Sequence, residues 1–134
     1  MNQSDFIKNL EAAIEAEWTA NDFYKRLKEE TPNPLFKEFI QHGEQDEEKH
    51  YHSFQRLYYQ LTGRYYEHPM KRMEFESFED GVVEALKDEL ETYELYRNML
   101  LHMPVQYAYE PLFIAMTDEM EHATRFSTIY GRLR

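Results

Sequence analysis

Glu47 and His50 stand three residues apart in the run Asp46-Glu47-Glu48-Lys49-His50, and Glu119 and His122 repeat that spacing later in the chain. On a helix, residues three apart share a face, so a carboxylate and an imidazole at this spacing can reach one metal ion. A single Glu-x-x-His is a weak signal, because a chain this rich in Glu contains about one by chance. The surroundings strengthen it. A shift of 72 residues lays Glu17 on Glu89, Tyr24 on Tyr96, Pro32 on Pro104, Asp46 on Asp118, Glu47 on Glu119 and His50 on His122. The matches fall on unusual residues, and a Glu 30 positions upstream of both motif glutamates has a chance probability of about two per cent.

These residues must be positioned by helices. Phe6, Leu10, Ala13, Glu17, Ala20, Tyr24 and Leu27 follow a 4-3 spacing that marks one stripe of a bundle helix. The first helix is expected from about Asp5 to Glu30, capped by Ser4 and stopped at Thr31-Pro32-Asn33-Pro34. Asn33 and Pro34 then suit the cap and first position of a second helix. Its stripe is Phe36, Ile40, Gly43, Glu47, His50, Phe54, Leu57 and Leu61, ending near Gly63. From Gly63 to Glu76 no helical stripe is visible, which reads as a long crossover. Ser77 with Asp80 signals a third helix carrying Phe78, Val82, Ala85, Glu89, Thr92, Tyr96, Met99 and Met103, stopped by Pro104. The fourth carries Leu112, Ala115, Glu119, His122, Phe126, Ile129 and Leu133. Either it begins at Pro111, or Pro111 kinks a helix that begins nearer Val105. Four amphipathic helices joined short, long, short predict an all-α four-helix bundle, a single domain over 1–134.

The turn prolines set a depth. Pro32 lies midway between Glu17 and Glu47, and Pro104 midway between Glu89 and Glu119. Residues equidistant from the turn of a helical hairpin are level, so each pair lies about 22 Å from its turn at about 1.5 Å per residue. Glu17, Glu47, His50, Glu89, Glu119 and His122 thus occupy core positions, where unpaired charge is costly.

The composition narrows the function. The 134 residues carry 26 acidic against 15 basic side chains, a net charge of −11, and no cysteine. The charge disfavours nucleic acid as a partner and favours cations. The absence of cysteine excludes disulfides, thiolate metal sites, iron–sulfur clusters and a rubredoxin module. No segment reads as a signal peptide or a membrane span, so the expected compartment is the cytoplasm. Four carboxylates and two imidazoles from four helices are the ligand set of a di-iron or di-manganese carboxylate site. Two divalent cations would neutralise the four carboxylates, and oxygen and nitrogen donors suit iron or manganese.

With Glu17-x-x-Ala20-x-x-x-Tyr24, Asp46-Glu47-x-x-His50, Glu89-x6-Tyr96 and Asp118-Glu119-x-x-His122, nearly the whole chain resembles the ferritin-like superfamily, most closely its rubrerythrin-type di-iron domain. The resemblance implies a ferritin-like bundle with a long crossover between helices two and three and an internal two-fold repeat of helical hairpins. It implies two iron ions per chain, with manganese as the variant. Glu47 and Glu119 would bridge the metals, Glu17 with His50 would complete one, and Glu89 with His122 the other. The activity implied is reduction of hydrogen peroxide or dioxygen, with an external electron donor. A ferroxidase in iron handling, or a non-enzymatic metal-stabilised bundle, are the alternatives. The chain departs from the family in having Thr92 where many rubrerythrins carry a further carboxylate, in lacking the rubredoxin module, and in lacking a fifth helix, so storage in a cage is not expected.

Asp46 and Asp118 each precede a motif histidine by four residues. They either fix imidazole tautomers from outside the ligand set or are solvated acids beside it. Tyr24 and Tyr96 either serve the chemistry, by bonding ligand carboxylates or donating electrons, or are core aromatics with satisfied hydroxyls. His42, His52, His68 and His102 have no partner under the repeat and are expected at the surface. Tyr58, Tyr59, Tyr65, Tyr66, Tyr107 and Tyr109 are expected to pack the crossover and bundle ends, or to line a homodimer interface.

Overall fold

Asn2, not Ser4, opens the first helix: its side-chain oxygen accepts from Asp5 N at 2.9 Å. Asn caps as well as Ser, and this choice places Asp5 in the first turn, where the helix dipole favours a negative charge. In the computed structural model, which describes residues 2–133, helix α1 spans Gln3–Leu27 and tightens into a 3₁₀ turn over Lys28–Glu30. Helix α2 spans Pro34–Thr62, with Asn33 accepting from Leu35 N and Phe36 N. It ends at Gly63, whose φ of 82° is the left-handed conformation that glycine adopts without strain. Helix α3 spans Phe78–Leu101 and starts at Ser77, which accepts from Asp80 N. It stops two residues short of Met103, since the residue before a proline is driven out of the helical region. Helix α4 spans Tyr109–Arg132 after a 3₁₀ turn over Gln106–Ala108. Pro111 is its third residue, where the N–H would be unpaired in any case, so it neither starts nor kinks the helix. No strand occurs among the described residues.

The molecule is a four-helix bundle. Helices α1 and α2 form one hairpin and α3 and α4 the other; α2 packs across on α4, and α1 on α3. The buried apolar side chains separate into two clusters. One holds Phe6, Leu10, Ile14, Phe54, Leu57, Tyr96, Met99 and Leu112; the other holds Phe23, Tyr24, Leu27, Phe36, Ile40, Val82, Phe126 and Ile129. Along every helix the buried titratable residues between these clusters are Glu17, Glu47 and His50, Glu89, and Glu119 and His122. The core is therefore two apolar blocks with a polar layer between them.

Residues 63–77 carry the chain from the Leu57 end of α2 to the Val82 end of α3. They are held at several points. Gln55 pairs with both backbone groups of Tyr66, Arg26 Nη2 donates to Met73 O at 2.7 Å, and Phe75 meets Phe23 edge-on. Gly81 leaves room for this packing: a Cβ there would lie 2.5 Å from Leu27 Cδ1, so a larger residue forces that side chain to shift.

Candidate metal centre

The polar layer brings six side chains from four helices together. Glu17, Glu47, His50 and Glu119 each offer one donor atom within 4.8 Å of the others, and so do Glu47, Glu89, Glu119 and His122. The two groups share Glu47 and Glu119. His50 Nδ1 lies 3.3 Å from Glu17 Oε2, 3.3 Å from Glu47 Oε1 and 3.4 Å from Glu119 Oε1. His122 Nδ1 lies 3.4 Å from Glu47 Oε1, 3.4 Å from Glu89 Oε2 and 3.6 Å from Glu119 Oε1. The two imidazole rings stand 6.4 Å apart. All six side chains are at least 96% buried, since the most exposed of them, His50, retains 4%.

Each imidazole is oriented by an aspartate on its outer side. His50 Nε2 bonds Asp118 Oδ2 at 2.7 Å, and His122 Nε2 bonds Asp46 Oδ2 at 2.8 Å. Each aspartate thus serves the histidine of the opposite hairpin, not the one four residues along its own helix. With Nε2–H committed to a carboxylate, Nδ1 presents its lone pair to the layer. Tyr24 and Tyr96 enter from opposite apolar blocks. Tyr24 Oη donates to Glu89 Oε1, and Tyr96 Oη donates to Glu17 Oε2 at 2.7 Å, so each also serves the opposite hairpin.

The donor set fits a pair of divalent cations. Glu47 Oε1, Glu89 Oε2, Glu119 Oε1 and His122 Nδ1 are buried without any hydrogen-bond partner. Native structures leave few such atoms, and a bound cation is a partner that all four could take. Protons are the alternative occupants. Burial, and after it the charge of Glu47, push Glu17, Glu89 and Glu119 above the usual carboxylate range. Burial would raise Glu47 as well, but the imidazoles of His122 and His50 close beside it outweigh burial and hold it low. Burial disfavours the imidazolium of His122, yet the hydrogen bond to Asp46 and the nearby carboxylates of Glu47 and Glu89 push it up to about 12. For His50 the charge of Glu17 and the bond to Asp118 overcome burial in the same direction. The six groups together hold protons that a cation would displace. Burial and the neighbouring carboxylates also raise both tyrosines, which keeps their hydroxyls protonated as donors.

No family model matches the chain. The uncharacterized protein YhjR of Bacillus subtilis (strain 168) is 31% identical over 123 residues, covering 90% of this chain and 83% of the relative. The chain belongs to the YhjR family. Two solved structures share its fold. A hypothetical protein of Pyrococcus furiosus superposes with a TM-score of 0.82 at 23% identity, covering 97% of this chain and 92% of that one. A conserved hypothetical protein of Mycobacterium tuberculosis gives a TM-score of 0.78 at 15% identity, over 96% and 99%.

In this member of the YhjR family, two features near the layer escape sequence reading. Asp88 is partly buried beside Glu89; burial and the charges of Glu89 and Glu47 push it up to about 7. Its position under the 72-residue shift is Ala16, so no repetition marked it. His68 is half-buried, contrary to a surface assignment, because the α2–α3 connection folds it against Tyr51. His42, His52 and His102 are exposed, although His42 Nε2 also reaches Asp46 Oδ2 at 3.2 Å. Tyr58 is buried, whereas Tyr59, Tyr65, Tyr107 and Tyr109 are exposed. A cavity of about 580 Å³ opens on the α2–α4 face, lined by Lys49, Ser53, Arg56, Tyr107 and Ile114, and reaches the edge of His50. No helix of the described residues is long and apolar enough to cross a membrane.

Proposed function

We propose that the chain is a ferritin-like, rubrerythrin-type di-iron carboxylate protein that reduces hydrogen peroxide or dioxygen with electrons from an external donor. The observation that carries this reading is the pair of overlapping donor groups sharing Glu47 and Glu119, with four donor atoms buried and unpartnered. Two adjacent sites need two bridging carboxylates, and these are the residues common to both groups. The reciprocal contacts between hairpins support the two-fold repeat, and the connection over residues 63–77 supports the long crossover.

When bound, the metal pair supplies electrons at one place and Lewis acidity toward the oxidant. The protein's own residues do the rest. Glu17 and His50 complete one site, and Glu89 and His122 the other. Asp118 and Asp46 hold the imidazoles so that Nδ1 faces inward. Tyr96 and Tyr24 keep one oxygen each of Glu17 and Glu89 occupied, which limits how those carboxylates bind. The two apolar blocks exclude water above and below the layer. The cavity at His50 gives a molecule as small as peroxide a way in. Manganese fits the same donors.

Mixing the anaerobic, ferrous-loaded protein with hydrogen peroxide or with dioxygen in a stopped-flow instrument tests the reading. Oxidation of about two irons per chain, one in each of the two sites, is expected; inertness toward both oxidants would sink it. The net charge of −11 favours one further reading, delivery of iron to storage or a partner. That reading requires turnover of more iron than the two sites hold.

A further inference from the structure

Outside the polar layer, the α2–α3 connection builds a second ordered group. Gln55 clips the connection onto α2: its amide oxygen accepts from Tyr66 N at 2.8 Å and its amide nitrogen donates to Tyr66 O at 2.9 Å. Two residues further on, His68 Nε2 comes to 2.7 Å from Tyr51 Oη. His68 Nδ1 lies 2.9 Å from the Pro69 carbonyl oxygen. A carbonyl can only accept, so Nδ1 carries a proton, and in the neutral ring Nε2 is then a bare acceptor. Tyr51 therefore donates to His68, and the backbone fixes that direction. Gln55 Nε2 stands 3.4 Å from the same phenol oxygen. The rings of Trp18 and Tyr66 lie 6.2 Å and 6.1 Å from that of His68.

This group neighbours the metal centre in sequence on two helices. Tyr51 is bonded to His50 along α2, and Trp18 to Glu17 along α1. It also reaches outward: Tyr51 and His68 are both half-buried, whereas Tyr24 and Tyr96 are sealed in the core. A phenol gives up an electron far more readily when a positioned base takes its proton in the same event, and a neutral imidazole is such a base.

We propose that Tyr51 and His68 form a proton-coupled redox site through which single electrons enter the metal centre. The proposal rests on the redox reading of that centre. In the step, with the metal pair bound and oxidised, Tyr51 would give up one electron to it. The Oη–H bond breaks, and the proton bonds to His68 Nε2. Tyr51 is left as a neutral phenoxyl radical and His68 as an imidazolium, and the electron would reside on the bound metal pair. An external one-electron donor then reduces the radical, and the proton returns from Nε2 to Oη.

The pair can be tested in the metal-free whole protein, using a flash-generated ruthenium(III) polypyridyl complex as the one-electron oxidant and freeze-trapped electron paramagnetic resonance as the readout. A phenoxyl signal with the g-tensor of a hydrogen-bonded radical is expected. It should vanish in Tyr51→Phe, which keeps the ring and its packing. In His68→Phe, oxidation of Tyr51 should slow about a hundredfold, the effect of losing a positioned proton acceptor. Persistence of the hydrogen-bonded signal in Tyr51→Phe, or its absence from the wild type, overturns the proposal. Circular dichroism of both variants checks that the bundle is intact. Because this arm contains no metal, it judges the pair alone, while the stopped-flow reaction of the loaded protein judges the centre. In the loaded protein the same signal should follow addition of oxidant in the wild type and not in Tyr51→Phe; a wild type that oxidises its metal without forming the radical overturns the link between them.

Discussion

Sharing of Glu47 and Glu119 between the two donor groups makes a prediction about stoichiometry. Glu17 belongs to one group and Glu47 to both. Glu17→Gln should therefore remove one metal site, and Glu47→Gln should weaken two. The size of the effect follows from linkage. A cation present at a hundredfold excess over its dissociation constant stabilises the folded state by about 2.7 kcal/mol per site. For 134 residues, at about 2.1 cal/mol/K each, the unfolding entropy is about 0.28 kcal/mol/K. Each filled site should thus raise the thermal midpoint by about 10 °C, and two sites by about 20 °C. The assay is calorimetry with and without manganese(II), alongside metal analysis of the desalted protein. The wild type should hold two ions, Glu17→Gln one, and Glu47→Gln close to none, with midpoint shifts in the same order. Glu89→Gln should mirror Glu17→Gln. If Glu47→Gln retains as much metal as Glu17→Gln, the shared-ligand arrangement is wrong; if manganese leaves the wild-type midpoint unmoved, so is the metal centre.

Three further outcomes follow from the same geometry. Asp118→Asn should lower metal affinity about 10- to 100-fold, the usual cost of losing the partner that orients a ligating histidine. Because Asp118 serves His50, a double-mutant cycle should show coupling between these two and near-additivity between Asp118 and His122, read from metal titrations. Tyr96→Phe strands a buried carboxylate oxygen of Glu17 and should destabilise the metal-free protein by about 1–3 kcal/mol in denaturant unfolding. The metal-free protein should also lose stability as pH rises from about 5 to 9. Glu17, Glu89 and Glu119 are raised, so the folded state keeps protons that the unfolded chain releases above the ordinary carboxylate range. The raised histidines act in the same sense above their ordinary range, losing their contribution as pH climbs toward the folded value. Glu47 is depressed; its contribution is complete above the ordinary carboxylate range and is lost only on acidification. Each excess proton steepens the decline by about 1.4 kcal/mol per pH unit. Metal loading should release more than one proton in a pH-stat and flatten this dependence; a metal-free stability that rises over the interval would contradict the proton-filled layer.

Helical spacing carried most of the architecture, because a bundle helix repeats one apolar stripe and a polar residue on that stripe stands out. That is why Glu17 and Glu89, which sit in no local motif, were visible. Spacing names a face but not the partner across it. Asp46 and Asp118 lie on the faces of His50 and His122 in their own helices, yet each bonds the histidine of the other hairpin. Asp88 was invisible for a related reason: nothing in its neighbourhood distinguishes a half-buried acid from a solvated one. Loops have no period at all, so the folding of residues 63–77 back onto α2, which places His68 against Tyr51, could not be read. The end of α3 moved because the restriction before Pro104 outweighs the helical preference of Met103.

The polar layer also bears on why the two hairpins stay together. Four hydrogen bonds into it cross from one hairpin to the other: Tyr24 to Glu89, Tyr96 to Glu17, His122 to Asp46, His50 to Asp118. Either hairpin alone would hold a histidine without its orienting aspartate and a glutamate without its tyrosine. It would also leave both apolar blocks half-covered, since each draws on all four helices. Burying such a layer costs stability unless its charges are compensated. Replacing it with leucine would strengthen the bundle as a bundle. A layer of this cost in the middle of an otherwise apolar core is accounted for by what it can hold, and it holds it only when both hairpins are in place.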